Sequence, residues 1–200
     1  VGNPPPNDYL LQIMEVFKRL NIGVKRAYNL TMSNGVYPYF LATFYVASRE
    51  GQSLEQGSEL YLLLQRELYN TQILSNLSAT YIGMVETGLL NGINATLVEA
   101  LISFSHTNLA HNRPDKFTPE NVTQAFLSHP DITLQLLKLF YARFDPACHE
   151  RDTLYPSLLI ETRQLVNSFN TGRRFLDELR RTVFNCAISF IHYGLKTNFF

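Results

Sequence analysis

The chain has 200 residues, and its 17 Lys plus Arg balance 17 Asp plus Glu, for a formal net charge of zero. Such a balance sets up no overall field to attract nucleic acid or an anionic membrane surface, so neither is an expected partner. A hydrophobic share of 46%, with 14 Phe and 11 Tyr, is enough for a packed core. No apolar run approaches the length of roughly 20 residues that a membrane-spanning helix requires.

The first residues, VGNPPPNDY, contain neither an initiator Met nor the charged start and apolar stretch of a signal peptide. The chain is therefore expected to be a piece of a longer one. Asn7 or Asp8 can cap a first helix. Leu10, Ile13, Met14, Phe17 and Leu20 then recur at helical spacing. From Ile22 the period changes to two, with Ile22, Val24, Tyr28 and Leu30 expected on one face and Arg26 as the exception. Ser33-Asn34-Gly35 predicts a hairpin turn, because Asn and Gly both tolerate positive φ. The partner strand is Tyr37–Ser48, with Phe40, Ala42, Phe44 and Val46 on one side. Pro38 fits only near the start of a strand or on an edge. Gly51, Ser53 and Glu55 open a second helix, striped by Leu60, Tyr61, Leu64 and Leu68.

Helix, strand, strand, helix is most of a ferredoxin-like βαββαβ unit. Two strands alone are marginal, so further sheet partners are expected upstream of Val1. The stretch YLLQIMEVFKRLNIGV, followed by a strand, a turn and TFYV, resembles an ACT domain, a small-molecule sensor fold. In that family a glycine at the start of the first helix lets an amino acid approach the backbone. Pro6-Asn7-Asp8 stands there instead, which points to a structural, interface-forming unit rather than an amino-acid site.

The remainder reads as helices. Residues 70–87 form one helix or two short ones, punctuated by Gly88 and Gly92. Asn94 can cap the next, whose face is Leu97, Leu101, Phe104 and Leu109. After a loop at 111–115, Thr118-Pro119-Glu120 supplies a cap, a first-turn proline and an early acid. Val122, Phe126 and Leu127 mark that short helix. The segment HPDITLQLLKLFYARFDP, bounded by Pro130 and Pro146, has almost no polar face and is expected at the centre of a helical body. A helix over 153–169 turns Leu158, Leu159, Thr162, Leu165 and Val166 inward, with Pro156 in its first turn. The last helix runs over 173–196, with Leu176, Leu179, Val183, Ala187 and Ile191 as its seam. The fold class is thus α+β, predominantly α: a partial ACT-like unit at 1–70, then a helical domain at 71–200.

Chemistry-bearing motifs are sparse. His106 and His111 are five apart, off the spacing of four that sets two ligands on one helical face. Cys148-His149 has no second ligand pair, so a loop thiol and a solvated imidazole are expected rather than zinc. Cys186 lies in an apolar helix and reads as a buried, inert thiol. Arg173, Arg174, Arg180 and Arg181 repeat after seven residues, as a solvated or salt-bridged stripe. No nucleophile elbow, dinucleotide fingerprint or P-loop occurs. Sequons stand at Asn29, Asn76, Asn94 and Asn121. With Asn29 inside a strand and only two cysteines, a reducing interior is the expected setting, cytoplasmic or mitochondrial. No catalytic, cofactor-binding or metal residue is assigned.

LSHPDI (127–132), LFYARFDP (139–146), LKTNFF (195–200) and FSHTNLAHNRPDKF (104–117) resemble the large NAD-specific glutamate dehydrogenases, the last of them their eukaryotic-type branch. ACT-like units precede the catalytic part in that family, and KTNFF lies just before it. The resemblance implies a parent homo-oligomer that deaminates L-glutamate to 2-oxoglutarate and ammonia with NAD as cofactor. This segment would be its non-catalytic shoulder, with the downstream catalytic domain of the same chain as its partner. At that junction Arg143 and Asp145 are either a bracing charged pair or an ordinary helix stop. Two other readings stay open: an allosteric amino-acid sensor, and a free-standing helical interaction module.

Overall fold

A computed structural model describes residues 9–33, 35, 36, 38–71, 74 and 77–200. Helix α1 (Tyr9–Arg19) leads into strands β1 (Ile22–Ser33) and β2 (Pro38–Ser48), and α2 (Glu59–Asn70) follows. A single π turn (Tyr81–Val85) precedes α3 (Gly92–Ala110), α4 (Pro119–Leu127), α5 (Pro130–Phe144), α6 (Arg151–Ser168) and α7 (Arg174–Tyr193). The architecture is α+β and predominantly α, with an antiparallel hairpin flanked by helices and then a multi-helix body. Asn7, Asp8 and the Pro6-Asn7-Asp8 departure lie outside the described residues.

Asn21 ends α1 with φ of 52°, a left-handed turn that redirects the chain into β1. Among the described residues, one face of the hairpin packs on helices. Ile13, Val16, Phe17, Ile22 and Leu64 form its core, with Val24, Phe44 and Val46 packed against them. The Phe17 and Phe44 rings meet edge-on at 5.2 Å. On α1 the inward positions are Ile13, Val16 and Phe17, whereas Leu10 and Met14 are exposed. Helical spacing allows either stripe, and the angle at which the helix crosses the hairpin selects one.

The expected strand face is wrong beyond Val24. Val24 pairs with Val46 and Arg26 with Tyr45, so Lys25 has no opposite residue. One extra residue in one strand swaps the faces of all that follow it. Ala27, Asn29 and Thr31 therefore share the side of Phe44, Ala42 and Phe40, and Tyr28 and Leu30 fall on the other side. Arg26 is no exception once the bulge is counted. The outer face carries exposed Tyr28, Leu30, Met32, Leu41 and Tyr45. Among the described residues the sheet has two strands.

Helix α2 begins later than Ser53 suggests: Ser58 is its cap, accepting from the Tyr61 N–H. Likewise Asn91, not Asn94, caps α3, its Oδ1 accepting from the Asn94 N–H at 2.9 Å. Asn94 instead accepts through Oδ1 from the Tyr141 hydroxyl at 2.7 Å. The Thr118 cap is as read from the sequence, with Thr118 Oγ1 accepting from the Asn121 N–H at 3.2 Å and Pro119 opening the helix. Thr118→Ala is expected to lower stability by about 1 kcal/mol, while Thr118→Ser stays near wild type. Thermal unfolding of the two variants checks this, and equal midpoints would refute it.

Helix α5 lies in the body as anticipated, between Pro130 and the Asp145–Pro146 stop, with Ile132, Leu136, Leu137, Leu139 and Phe140 buried. It packs against α3, α4, α6 and α7. Helix α6 starts at Arg151, so Pro156 sits in its second turn rather than its first. Tyr155, Leu159, Thr162 and Val166 face inward and Leu165 is exposed. On α7 the buried seam is Leu179, Val183, Phe184, Ala187, Ile188 and Ile191, with Leu176 only half-buried. Phe126, His129, Phe169 and Phe184 form a ring cluster where α4, α5, α6 and α7 converge.

Candidate functional site

The residues singled out from sequence stay apart. His106 and His111 lie at the end of α3, while Cys148 and His149 sit in the turn before α6. Among the described residues, no three His, Cys, Asp or Glu side chains come together as a metal set. Cys186 is half-buried rather than buried, and desolvation pushes its thiol up, away from the reactive thiolate. The arginine stripe is dispersed. Arg180 lies 4.0 Å from Asp177, and Arg181 donates to the Phe169 carbonyl at 2.8 Å, tying the end of α6 to α7. Asn29 is in β1, and Asn94 and Asn121 are in the first turns of α3 and α4; Asn76 lies outside the described residues.

Two places do gather polar chemistry. The first joins the hairpin unit to the helical body. Glu67, buried near the end of α2, accepts from the Gly92 N–H at 3.0 and 3.1 Å through its two carboxylate oxygens. A carboxylate there neutralises the positive end of α3. Gly92 makes this approach possible, since a Cβ at that position would meet Glu67 Oε2 at 3.0 Å. Arg19 of α1 donates to Glu67 at 3.1 Å and to the Tyr81 hydroxyl at 2.6 Å. Tyr81 in turn donates to Glu15 at 2.8 Å. The cavity among these groups is about 10 Å³, no more than one water needs. This is a brace, with no space for a substrate.

Burial first, and then the hydrogen bond to Glu15, push the Tyr81 phenol from 10.0 up to about 12. The fold holds its neutral form, so this contribution is complete below pH 10 and is lost as pH rises toward 12. A spectrophotometric base titration should show Tyr81 among the last tyrosines to ionise, with the unfolding midpoint falling over that window. Ionisation of Tyr81 together with exposed tyrosines would refute the assignment.

No motif in the sequence marks this brace. The available signal was an acid at a stripe position, since Glu67 follows Leu60 and Leu64 at helical spacing.

The second place lies where α5 ends. Arg143 does not pair with Asp145; its Nη2 donates to the Gly194 carbonyl at 3.0 Å, at the end of α7. Asp145 Oδ1 instead accepts from the Ala147 N–H at 2.8 Å, the ordinary role of a residue ending a helix. The Arg143 guanidinium lies over the Tyr155 ring at 4.9 Å and near the Phe144 ring at 5.4 Å. Phe140 and Tyr141 receive Phe199 and Phe200 of the terminal segment, with centroids 5.4 to 6.2 Å apart. An open cleft of about 670 Å³ runs beside this aromatic knot. No helix among the described residues is long and apolar enough to cross a membrane.

No protein-family model, no curated protein sequence and no solved structure matches the chain.

Proposed function

We propose that this chain is a non-catalytic segment of an NAD-dependent glutamate dehydrogenase, in which it joins an ACT-like unit to the catalytic region. The parent enzyme would convert L-glutamate to 2-oxoglutarate and ammonia while reducing NAD. The observation that supports this most is the meeting of two family-like segments distant in sequence. LFYARFDP and LKTNFF pack on each other through Phe140, Tyr141, Phe199 and Phe200, and Arg143 bonds across to Gly194. Segments that must fit one another are more informative together than two isolated short matches. The Glu67–Arg19–Tyr81 brace suits a part that transmits rigidity instead of performing chemistry.

The test is the reading frame beyond Phe200, which should encode a glycine-rich dinucleotide-binding motif after a strand. A frame without one would overturn the proposal. The 200-residue chain, purified alone, should yield no NADH from glutamate and NAD; sustained turnover would show that the segment itself is catalytic.

A further inference from the structure

The cleft at the end of α5 has a charge that the fold does not use up. Among side chains it is lined by three cations, Arg143, Arg151 and Lys196, against one carboxylate, Asp152. Among the described residues none of these three cations is in an ion pair. Arg143 and Arg151 are each fixed by one hydrogen bond to a neutral acceptor, the carbonyls of Gly194 at 3.0 Å and Asp145 at 2.8 Å. Those bonds suit the negative ends of α7 and α5. They occupy one N–H per guanidinium, out of five. Two rings hold the Arg143 side chain as well, so little rotamer freedom remains to be lost when an anion arrives. The other walls are mostly apolar, formed by Phe144, Pro146, Pro156, Leu195, Phe200 and the Tyr155 ring, with the Thr197 hydroxyl as a further polar group. At about 670 Å³ the space falls within the ordinary range for small-ligand sites.

We propose that this cleft binds a small organic dianion, a dicarboxylate or a phosphate monoester. Its charged head lies among Arg143, Arg151 and Lys196, and its carbon skeleton lies against Tyr155 and Phe200. This inference stands apart from the glutamate dehydrogenase reading and survives if that reading fails.

Calorimetric titration of the chain with succinate and with phenyl phosphate tests it. Saturable one-site binding is expected, weakening as salt is added because the cleft is open to screening. Arg151→Gln and Lys196→Gln alter exposed side chains. Each should weaken binding severalfold, and the double variant should abolish it, while the unfolding midpoint of Lys196→Gln stays unchanged. Lys196→Gln alone keeps the test valid if the change at Arg151 disturbs α6. Binding of only one probe class would support the site and identify its head group. No binding of either probe up to about 10 mM, an affinity worth only a few kcal/mol, would overturn the proposal. So would binding that survives the double substitution.

Discussion

Glu67→Ala is expected to destabilise the chain by about 3–5 kcal/mol, the usual cost of removing one partner from a buried ion pair. Glu67 is 2% exposed and faces Arg19 across 3.1 Å. Its loss strands the Arg19 charge and leaves the Gly92 N–H without its acceptor. Glu67→Gln keeps an acceptor of the same shape and should cost less. Replacing both Glu67 and Arg19 by apolar residues should also cost less than Glu67→Ala alone, because no charge is then left unpaired. Urea unfolding of the four proteins gives the comparison. A loss below about 1 kcal/mol for Glu67→Ala would place the pair in the class of exposed salt bridges and remove the brace.

Phe184→Ala should cost a similar amount, about 3–5 kcal/mol, by leaving a cavity in the helical body. Its side chain is fully buried, with Phe126 at 5.8 Å, Phe169 at 6.3 Å and His129 at 6.4 Å between ring centroids. Four helices meet at this point, so no single one can shift to fill the void. Phe175, on the same helix but 64% exposed, is the control. Phe175→Ala should stay within about 0.5 kcal/mol of wild type. Equal losses at the two positions would show that burial is not what distinguishes them.

His129 sits in the same cluster. Burial, followed by the nearby Arg180 charge, lowers its pKa, and Asp131 and Asp177 oppose this only in part. The neutral ring therefore packs against Phe169 with an edge-on centroid distance of 4.5 Å. The segment LSHPDI thus serves the interior through His129 and Ile132, as well as starting a helix.

Legibility in the sequence followed the range of the interaction concerned. Thr118-Pro119 and Pro130 start their helices, Asp145–Pro146 ends one, and Pro38 opens a strand. Each of these is a matter of backbone chemistry within four residues, so the local sequence is sufficient. The nearly continuous apolar surface of α5 likewise announced burial, because no orientation of that helix leaves a polar face for water. Hydrophobic period identified the other helices but not their inward side. Leu10, Met14 and Leu165 fit a stripe on paper and face solvent in the fold. The bulge at Lys25 escaped because alternation continues through it, and only the pairing with β2 reveals an extra residue.

The amino-acid order by itself determined that this chain makes a hairpin between helices and then a helical body, since turn chemistry and apolar period act over a few residues. Tertiary structure alone decided what each buried charge meets. Glu67 finds Gly92 across 25 positions, Arg19 finds Tyr81 across 62, and Arg143 finds Gly194 across 51. Such partners are set by how helices cross, and a charged side chain carries no local mark of the group that will face it once water is removed.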